Sequence, residues 1–100
     1  MNFEIPDQKK IIDFYGDQVQ SIVHCEELGE LIQAISKVQR TKILPSTFNE
    51  RVIARYNLIE EMADVFIILQ QMIDMYAISE HEIQDTINKK CIRQEERLNA

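Results

Sequence analysis

Glycine and proline are scarce in this sequence, with two of each among its 100 residues. All-β folds need these residues for their many tight turns, so the scarcity disfavours such folds. It also excludes the two common glycine-rich phosphate-binding loops, because each of them places several glycines in one turn. Hydrophobic residues make up 45% of the chain, which indicates a globular protein, and the length predicts one domain over residues 1–100.

Cysteines, apolar runs and positive charge are also limited. Two cysteines, Cys25 and Cys91, are too few for a disulfide scaffold, so we expect free thiols in a reducing cytoplasm. The longest unbroken apolar run, 65–69, is far too short to span a bilayer, and no signal peptide is visible. The net charge of −6 disfavours binding to a nucleic-acid polymer. A phosphorylated ligand would therefore need a metal ion or a local basic cluster.

The hydrophobic pattern is helical almost throughout, which predicts an all-α fold of four helices. Asp7 is expected to cap a short helix that stops at Gly16, since glycine suits the conformation that ends helices. Asp17 and Gln20 then resemble a capping pair, opening a second helix that runs to a loop over 41–46.

Two capping boxes mark the remaining helices. Thr47 to Glu50 predicts the start of a third helix that reaches about Tyr76. The box over 79–82 predicts a fourth helix that reaches about Leu98. The third helix carries apolar stripes on two opposite faces, and a short chain has too few helices to cover both. We therefore expect a homo-oligomer.

Acidic residues interrupt the apolar seams of the second and third helices. Glu27 and Glu30, flanked by Glu26, lie within one seam, and Glu61 with Asp64 lies within the other. If the helices pack antiparallel, the two pairs converge, and buried carboxylates must pair, protonate or bind a metal. The oxygen ligands favour Mg²⁺ or Mn²⁺. Solvated acidic faces are common on helices, and periodicity alone leaves both interpretations open.

Basic residues collect on one face of the fourth helix, at Lys90, Arg93 and Arg97. Together with a metal, such cations would suit a polyphosphate ligand. Taken alone, the cluster is better explained by the preference of helix C-termini for positive charge, and Glu95 and Glu96 could pair with it.

Two acidic motifs and one basic run of this sequence resemble those of a known family. The run Glu26-Glu27-Leu28-Gly29-Glu30, followed by Glu61-Met62-Ala63-Asp64, is similar to the EExxE…ExxD signature of the MazG-like, all-α nucleoside triphosphate pyrophosphohydrolases. The basic run 90–97 is similar to the phosphate-contacting end of that family. The resemblance covers about residues 8–98. It implies a four-helix bundle-like MazG-type domain, assembled as a homodimer or homotetramer, that hydrolyses nucleoside triphosphates to monophosphate and pyrophosphate.

The resemblance also implies a role for each motif residue. Glu26 would orient or deprotonate the attacking water, and Lys90, Arg93 and Arg97 would hold substrate phosphates. Four carboxylates would ligate Mg²⁺, with Mn²⁺ as a substitute: Glu27, Glu30, Glu61 and Asp64.

One departure from the family concerns spacing. Thirty residues separate Glu30 from Glu61, at the long end for the family, which implies a longer loop and helix-three start around 41–56.

We expect Phe14 and Tyr15 to pack in the core rather than to stack on a base.

Two alternatives stay open: a non-enzymatic helical adaptor that oligomerises, and a MazG-like fold that binds metal or nucleotide without turnover. A di-iron carboxylate bundle is disfavoured, because neither His24 nor His81 follows an acidic residue by three positions.

Overall fold

The computed structural model describes residues 1–99, and within them the regular structure is entirely helical. The helices are α1 (Lys9–Tyr15), α2 (Asp17–Ile43), α3 (Phe48–Met75) and α4 (Glu80–Leu98). This confirms the all-α prediction and the order of four helices. No helix in the described part of the chain is both long and apolar enough to cross a membrane.

Both predicted capping boxes are present at the starts of α3 and α4. At α3 the Thr47 hydroxyl accepts a hydrogen bond from the backbone N–H of Glu50 at 3.1 Å, and the Glu50 side chain accepts one in return from Thr47. Ser79 and Glu82 make the same reciprocal pair at α4. These bonds satisfy backbone donors that a helix start leaves unpaired, so the local sequence determines where each helix begins.

The second helix differs from the prediction at both ends. Gly16, with φ of 81°, occupies the N-cap position, and Asp17 makes no capping hydrogen bond there. Gln20 is buried instead, because its amide turns towards α3. At the other end α2 continues to Ile43, so residues 41–43 are helical and the predicted loop over 41–46 was too long. Leu44 ends the helix in an extended conformation, as expected of a residue before proline.

Helices α2 and α3 form a long antiparallel hairpin. Gln20 contacts Gln71 at one end of the interface, and the side chains of Glu30 and Glu61 meet further along it. Ala34, Ala54 and Ile68 are buried, and the two small alanines allow the helix backbones to approach closely. The extra residues between Glu30 and Glu61 therefore lengthen both helices rather than the loop, which corrects the expectation of a longer loop around 41–56.

The fourth helix projects away from this hairpin. It makes only marginal contact with the other helices, and within Glu80–Leu98 no side chain is buried. The protein measures 46 × 44 × 23 Å, with a radius of gyration of 17.1 Å. A compact chain of this length would have a radius of gyration of about 13 Å. One copy of the chain thus contains the helices of the predicted bundle but does not close them around a common core.

Apolar side chains on the outer face of α3 remain exposed, as the two-stripe pattern predicted. Tyr56 is 62% exposed and Ile59 is 50% exposed. Further along the same face, Phe66 is partly covered by the N-terminal segment, since its ring centroid lies 4.7 Å from that of Phe3. Ala77 lies beyond the helix, in the turn before α4.

Candidate metal centre

Four carboxylates from the two long helices meet at the α2–α3 interface. Glu27 and Glu30 come from α2, and Glu61 and Asp64 come from α3; one oxygen of each lies within 4.8 Å of the others. Members of each pair are three residues apart, which places them on one face of their helix. Antiparallel packing then brings the pairs together. We call these four residues the acidic cluster; their role as metal ligands stays a prediction.

Two oxygens of the acidic cluster are buried without a hydrogen-bond donor. Oε2 of Glu27 and Oε2 of Glu61 are hidden from solvent, and no donor within residues 1–99 reaches either atom. Glu30, by contrast, is exposed at the edge of the interface. Burying a carboxylate oxygen without a partner is costly, so these two atoms require either a proton or a cation.

The pKa values of these two glutamates also reflect their burial and the negative charges beside them. Burial, followed by the charges of Asp64 and Glu30, raises the pKa of Glu27 from 4.5 to about 7. Burial, followed by the same two neighbouring charges with Glu30 foremost, also raises the pKa of Glu61. Loss of water and like-charge repulsion both favour the protonated form of a carboxyl group. A bound cation would act in the opposite direction and keep the acids ionised.

The donor set fits a hard divalent cation. All members of the acidic cluster offer carboxylate oxygens, and within residues 1–99 no histidine or cysteine joins them. Oxygen ligands of this kind are preferred by Mg²⁺ and Mn²⁺. An ion bound here would satisfy the two buried oxygens and offset the repulsion among the acids.

The other predicted site residues lie outside this cluster. Glu26 is exposed, beside Glu27 in the chain, and is not among the four converging acids. Lys90, Arg93 and Arg97 line a shallow groove on α4 together with Gln94. The ion pairs formed within residues 1–99 are Lys9–Asp13 and Lys89–Asp85, so no salt bridge there links the α4 cations to the acidic cluster. Within one chain, the predicted phosphate-binding cations of α4 therefore lie apart from the predicted metal ligands.

A pocket of about 390 Å³ opens beside the acidic cluster. Glu27 and Asp64 line it together with Tyr15 of α1 and the amides of Gln20 and Gln71. The rest of its lining is aliphatic: Ile11, Val19, Val23, Ile67 and Ile68. A concave pocket that is mostly apolar with a few polar groups is typical of a small-molecule binding site.

The aromatic residues of α1 do not enter the core, which makes the expectation for Phe14 and Tyr15 wrong. Phe14 is 79% exposed and Tyr15 is 51% exposed, and their rings meet edge to face at 4.8 Å. The helix has only seven residues and turns its half-buried Ile12 inward, so the neighbouring aromatic rings face outward. Tyr15 thereby becomes available to a ligand in the pocket.

A buried amide network that the sequence analysis missed supports one end of this pocket. Gln71 Oε1 accepts hydrogen bonds at 2.9 Å from Gln20 Nε2 and from His24 Nε2, while Gln71 Nε2 donates to Gln8 Oε1 at 3.0 Å. The available signal was spacing, because Gln20, His24 and Glu27 follow the four-and-three pattern of a buried seam.

A comparison with known protein families finds a match over most of the chain. The model of the MazG nucleotide pyrophosphohydrolase domain matches residues 20–98, which include all of the acidic cluster and all of α4. The chain belongs to this family, and the resemblance seen in the sequence is confirmed. The match starts after α1, so the helix that contributes Tyr15 lies outside it. No curated protein and no solved structure matched the chain.

Proposed function

We propose that this chain hydrolyses ribo- or deoxynucleoside triphosphates to monophosphate and pyrophosphate, using Mg²⁺ or, as a substitute, Mn²⁺. The observation that carries the proposal is the acidic cluster with its two buried, donor-free oxygens. Membership of the MazG nucleotide pyrophosphohydrolase family supports the reaction class. The cellular role of this protein would then be to remove unwanted nucleotides from the nucleotide pool.

This chemistry needs charge neutralisation and in-line geometry more than a protein nucleophile. When bound, Mg²⁺ supplies positive charge to the phosphate oxygens and lowers the pKa of a coordinated water. Water attacks the α-phosphorus, the bond from that phosphorus to the oxygen bridging to the β-phosphorus breaks, and pyrophosphate leaves. Glu26, adjacent to the acidic cluster in the chain, is our candidate for orienting this water and accepting its proton.

The remaining residues hold the substrate. The acidic cluster would bind the cation, and Lys90, Arg93 and Arg97 would bind phosphate oxygens. The pocket lined by Tyr15 would receive the nucleoside, since it adjoins Glu27 directly and has aliphatic walls with amide groups at one end. Its dimensions suit a base and sugar better than a macromolecule.

A homo-oligomer is part of the proposal. Exposed apolar side chains on α2 and α3, such as Ile32 at 68% and Tyr56 at 62%, are typical of a surface that a partner covers. The free, exposed thiols of Cys25 and Cys91 fit a reducing compartment, so we propose a cytoplasmic enzyme.

A panel of the common ribo- and deoxynucleoside triphosphates, incubated with Mg²⁺, tests the function directly. Pyrophosphate and monophosphate should appear together, EDTA should abolish both, and Mn²⁺ should restore them. Release of orthophosphate from the γ-position would contradict the proposal. Mg²⁺-dependent nucleotide binding without any product would instead indicate a fold that has lost turnover. A folded oligomer that binds neither metal nor nucleotide would favour the adaptor.

A further inference from the structure

The segment before α1 folds back across α3. The centroid of the Phe3 ring lies 4.7 Å from that of Phe66, and Phe3 and Pro6 line an apolar cleft of about 400 Å³ on this face of α3. Ile67 lines both this cleft and the pocket beside the acidic cluster. The segment 1–8 thus lies behind one wall of that pocket, although it is outside the region that matches the MazG family model.

A backbone carbonyl fixes the orientation of the Gln8 side chain at the end of this segment. Gln8 Nε2 donates to the carbonyl oxygen of Pro6 at 2.8 Å, and a carbonyl oxygen can only accept. Gln8 Oε1 is therefore the atom that faces α3, where it accepts a hydrogen bond from Gln71 Nε2 at 3.0 Å. The two ends of an amide have nearly the same shape, so its orientation is decided by such partners.

The orientation of Gln8 is passed on to α2. Because Gln71 turns its Nε2 towards Gln8, its Oε1 faces α2. That oxygen lies 2.9 Å from both Gln20 Nε2 and His24 Nε2 and can only accept, so Gln20 must present its NH₂ group and His24 must carry its proton on Nε2. The three side chains that α2 and α3 contribute are at most 4% exposed, so water cannot easily replace a missing partner. One backbone carbonyl thus sets the direction of the whole network.

The direction of the network decides what the pocket offers to a ligand. Gln20 and Gln71 line the pocket beside the acidic cluster. Gln20 engages Gln71 through Nε2, so the carbonyl oxygen of its amide, an acceptor, is the end left for a ligand. If the network ran in the opposite direction, Gln20 would present its NH₂ group there instead. Bases differ in this respect, because cytosine carries an amine where uracil carries a carbonyl oxygen.

We propose that Gln8 is a positioning residue that sets the hydrogen-bonding direction of this pocket and thereby the base preference of the enzyme. The inference rests on the proposed function for the ligand, a nucleoside triphosphate, whereas the direction of the network can be measured without any ligand. A base that meets the acceptor of Gln20 with a donor gains a hydrogen bond. A base that meets it with a second acceptor leaves both groups unsatisfied, which changes relative rates by about tenfold or more.

Two substitutions of Gln8 favour opposite directions of the network. The ammonium group of Gln8→Lys can only donate, so Gln71 should turn its Oε1 towards it and its Nε2 towards α2. His24 Nε2 would then accept, and the imidazole proton should move to Nδ1. Gln8→Glu is the matched control, because its carboxylate can only accept and keeps the wild-type direction. Position 8 is half-buried at the start of α1, so either charge can reach water.

The tautomer of His24 reports the direction, read by ¹⁵N NMR of the metal-free protein in alkaline buffer, where imidazole is neutral. The wild type and Gln8→Glu should carry the proton on Nε2, and Gln8→Lys should carry it on Nδ1. Should Gln8→Lys fail to fold, Gln8→Met decides instead; it offers Gln71 no strong partner and should give both tautomers. A proton that stays on Nε2 in every folded variant would overturn the inference.

The ratio of kcat/KM for dUTP to that for dCTP tests the effect on specificity. Both nucleotides carry the same triphosphate, so the charge added by a substitution cancels in this ratio. Gln8→Lys should shift the ratio by about tenfold or more, mainly through KM, whereas Gln8→Glu should stay within about twofold of the wild type. A tautomer that moves while the ratio does not would show that the network does not read the base, which also overturns the inference. If the wild type hydrolyses no nucleotide, the proposed function fails, and the tautomers still decide whether Gln8 sets the direction.

Discussion

Glu27 of α2 and Asp64 of α3 face each other across the helix interface with no intervening base, and their mutual repulsion adds to the effect of burial on Glu27. Packing of the hairpin forces this contact, because Gln20 and Gln71 align the helices on one side and Ala34 lies on the other. The metal-free fold thus contains a destabilising contact that a cation would relieve.

The stability of the metal-free protein should fall as pH rises from 4.5 to about 7. Glu27 has an ordinary pKa of 4.5 when unfolded and a pKa of about 7 when folded, so the folded state binds its proton more tightly. Below this range both states are protonated and above it both are ionised, so the loss accumulates between the two values. Thermal melts in EDTA should show a higher Tm at pH 5 than at pH 7.5.

Added Mg²⁺ should reverse this trend, because the ion competes with the proton for the same oxygens. The increase in Tm on adding Mg²⁺ should be small at pH 5 and large at pH 7.5. A shift that is the same at both pH values would show that Mg²⁺ binds away from Glu27.

Substitution Glu61→Gln should separate a metal site from a structural one. It keeps the shape of the side chain and removes one repelling charge, so the metal-free protein should be as stable as the wild type or more stable. Mg²⁺ binding should weaken, and turnover should fall by orders of magnitude. Glu60→Gln, at an exposed neighbouring position outside the acidic cluster, is the control and should change little.

A loss of stability in Glu61→Gln would instead identify a structural role for Glu61. If Glu61 stabilises the fold, the substitution should cost about 1–3 kcal/mol in unfolding free energy from the partner left unsatisfied. Such a loss, together with melts that do not respond to Mg²⁺ in either protein, would favour the adaptor.

The helices were predictable because their signals are local. The capping boxes at 47–50 and 79–82 place the starts of α3 and α4 correctly, and periodicity identifies the acidic pairs. The position of α4 depends on the turn after α3 and on what the helix packs against, neither of which has a local pattern. Gln20 was misassigned as a capping residue because its tertiary partner, Gln71, lies 51 positions away.

Loss of the shared acceptor in the amide network should be costly. Gln71→Leu leaves the buried groups Gln20 Nε2 and His24 Nε2 without their common partner. We expect a loss on the order of 3 kcal/mol in unfolding free energy, measured by urea denaturation. Gln70→Leu is the matched control; its amide bonds the exposed Asp74, so its effect should be within about 0.5 kcal/mol. Equal effects of the two substitutions would mean that the network adds no stability.

Light scattering should give at least a dimer at micromolar concentration, because the apolar outer faces of the hairpin require a partner. Placing a charge on the exposed face of α3 with Tyr56→Glu should shift the protein towards monomer, since burying an unpaired carboxylate in an interface is unfavourable. Arg55→Glu, at a neighbouring exposed and already charged position, should have the smaller effect. If the wild-type protein is a monomer, the exposed apolar stripe of α3 does not require a partner.

The corner between α3 and α4 offers a stabilising substitution. Ala77 has φ of 50°, and the backbone N–H of Ile78 donates to the carbonyl oxygen of Ile73 at 3.0 Å, the hydrogen bond of a Schellman helix end. Glycine adopts this left-handed conformation without the steric cost that a Cβ atom carries. Ala77→Gly should therefore raise the unfolding free energy by about 1 kcal/mol. The same change at Ala63, inside α3, should lower it by about 1 kcal/mol. If both substitutions destabilise the protein in urea titrations, the positive φ at Ala77 does not persist in solution.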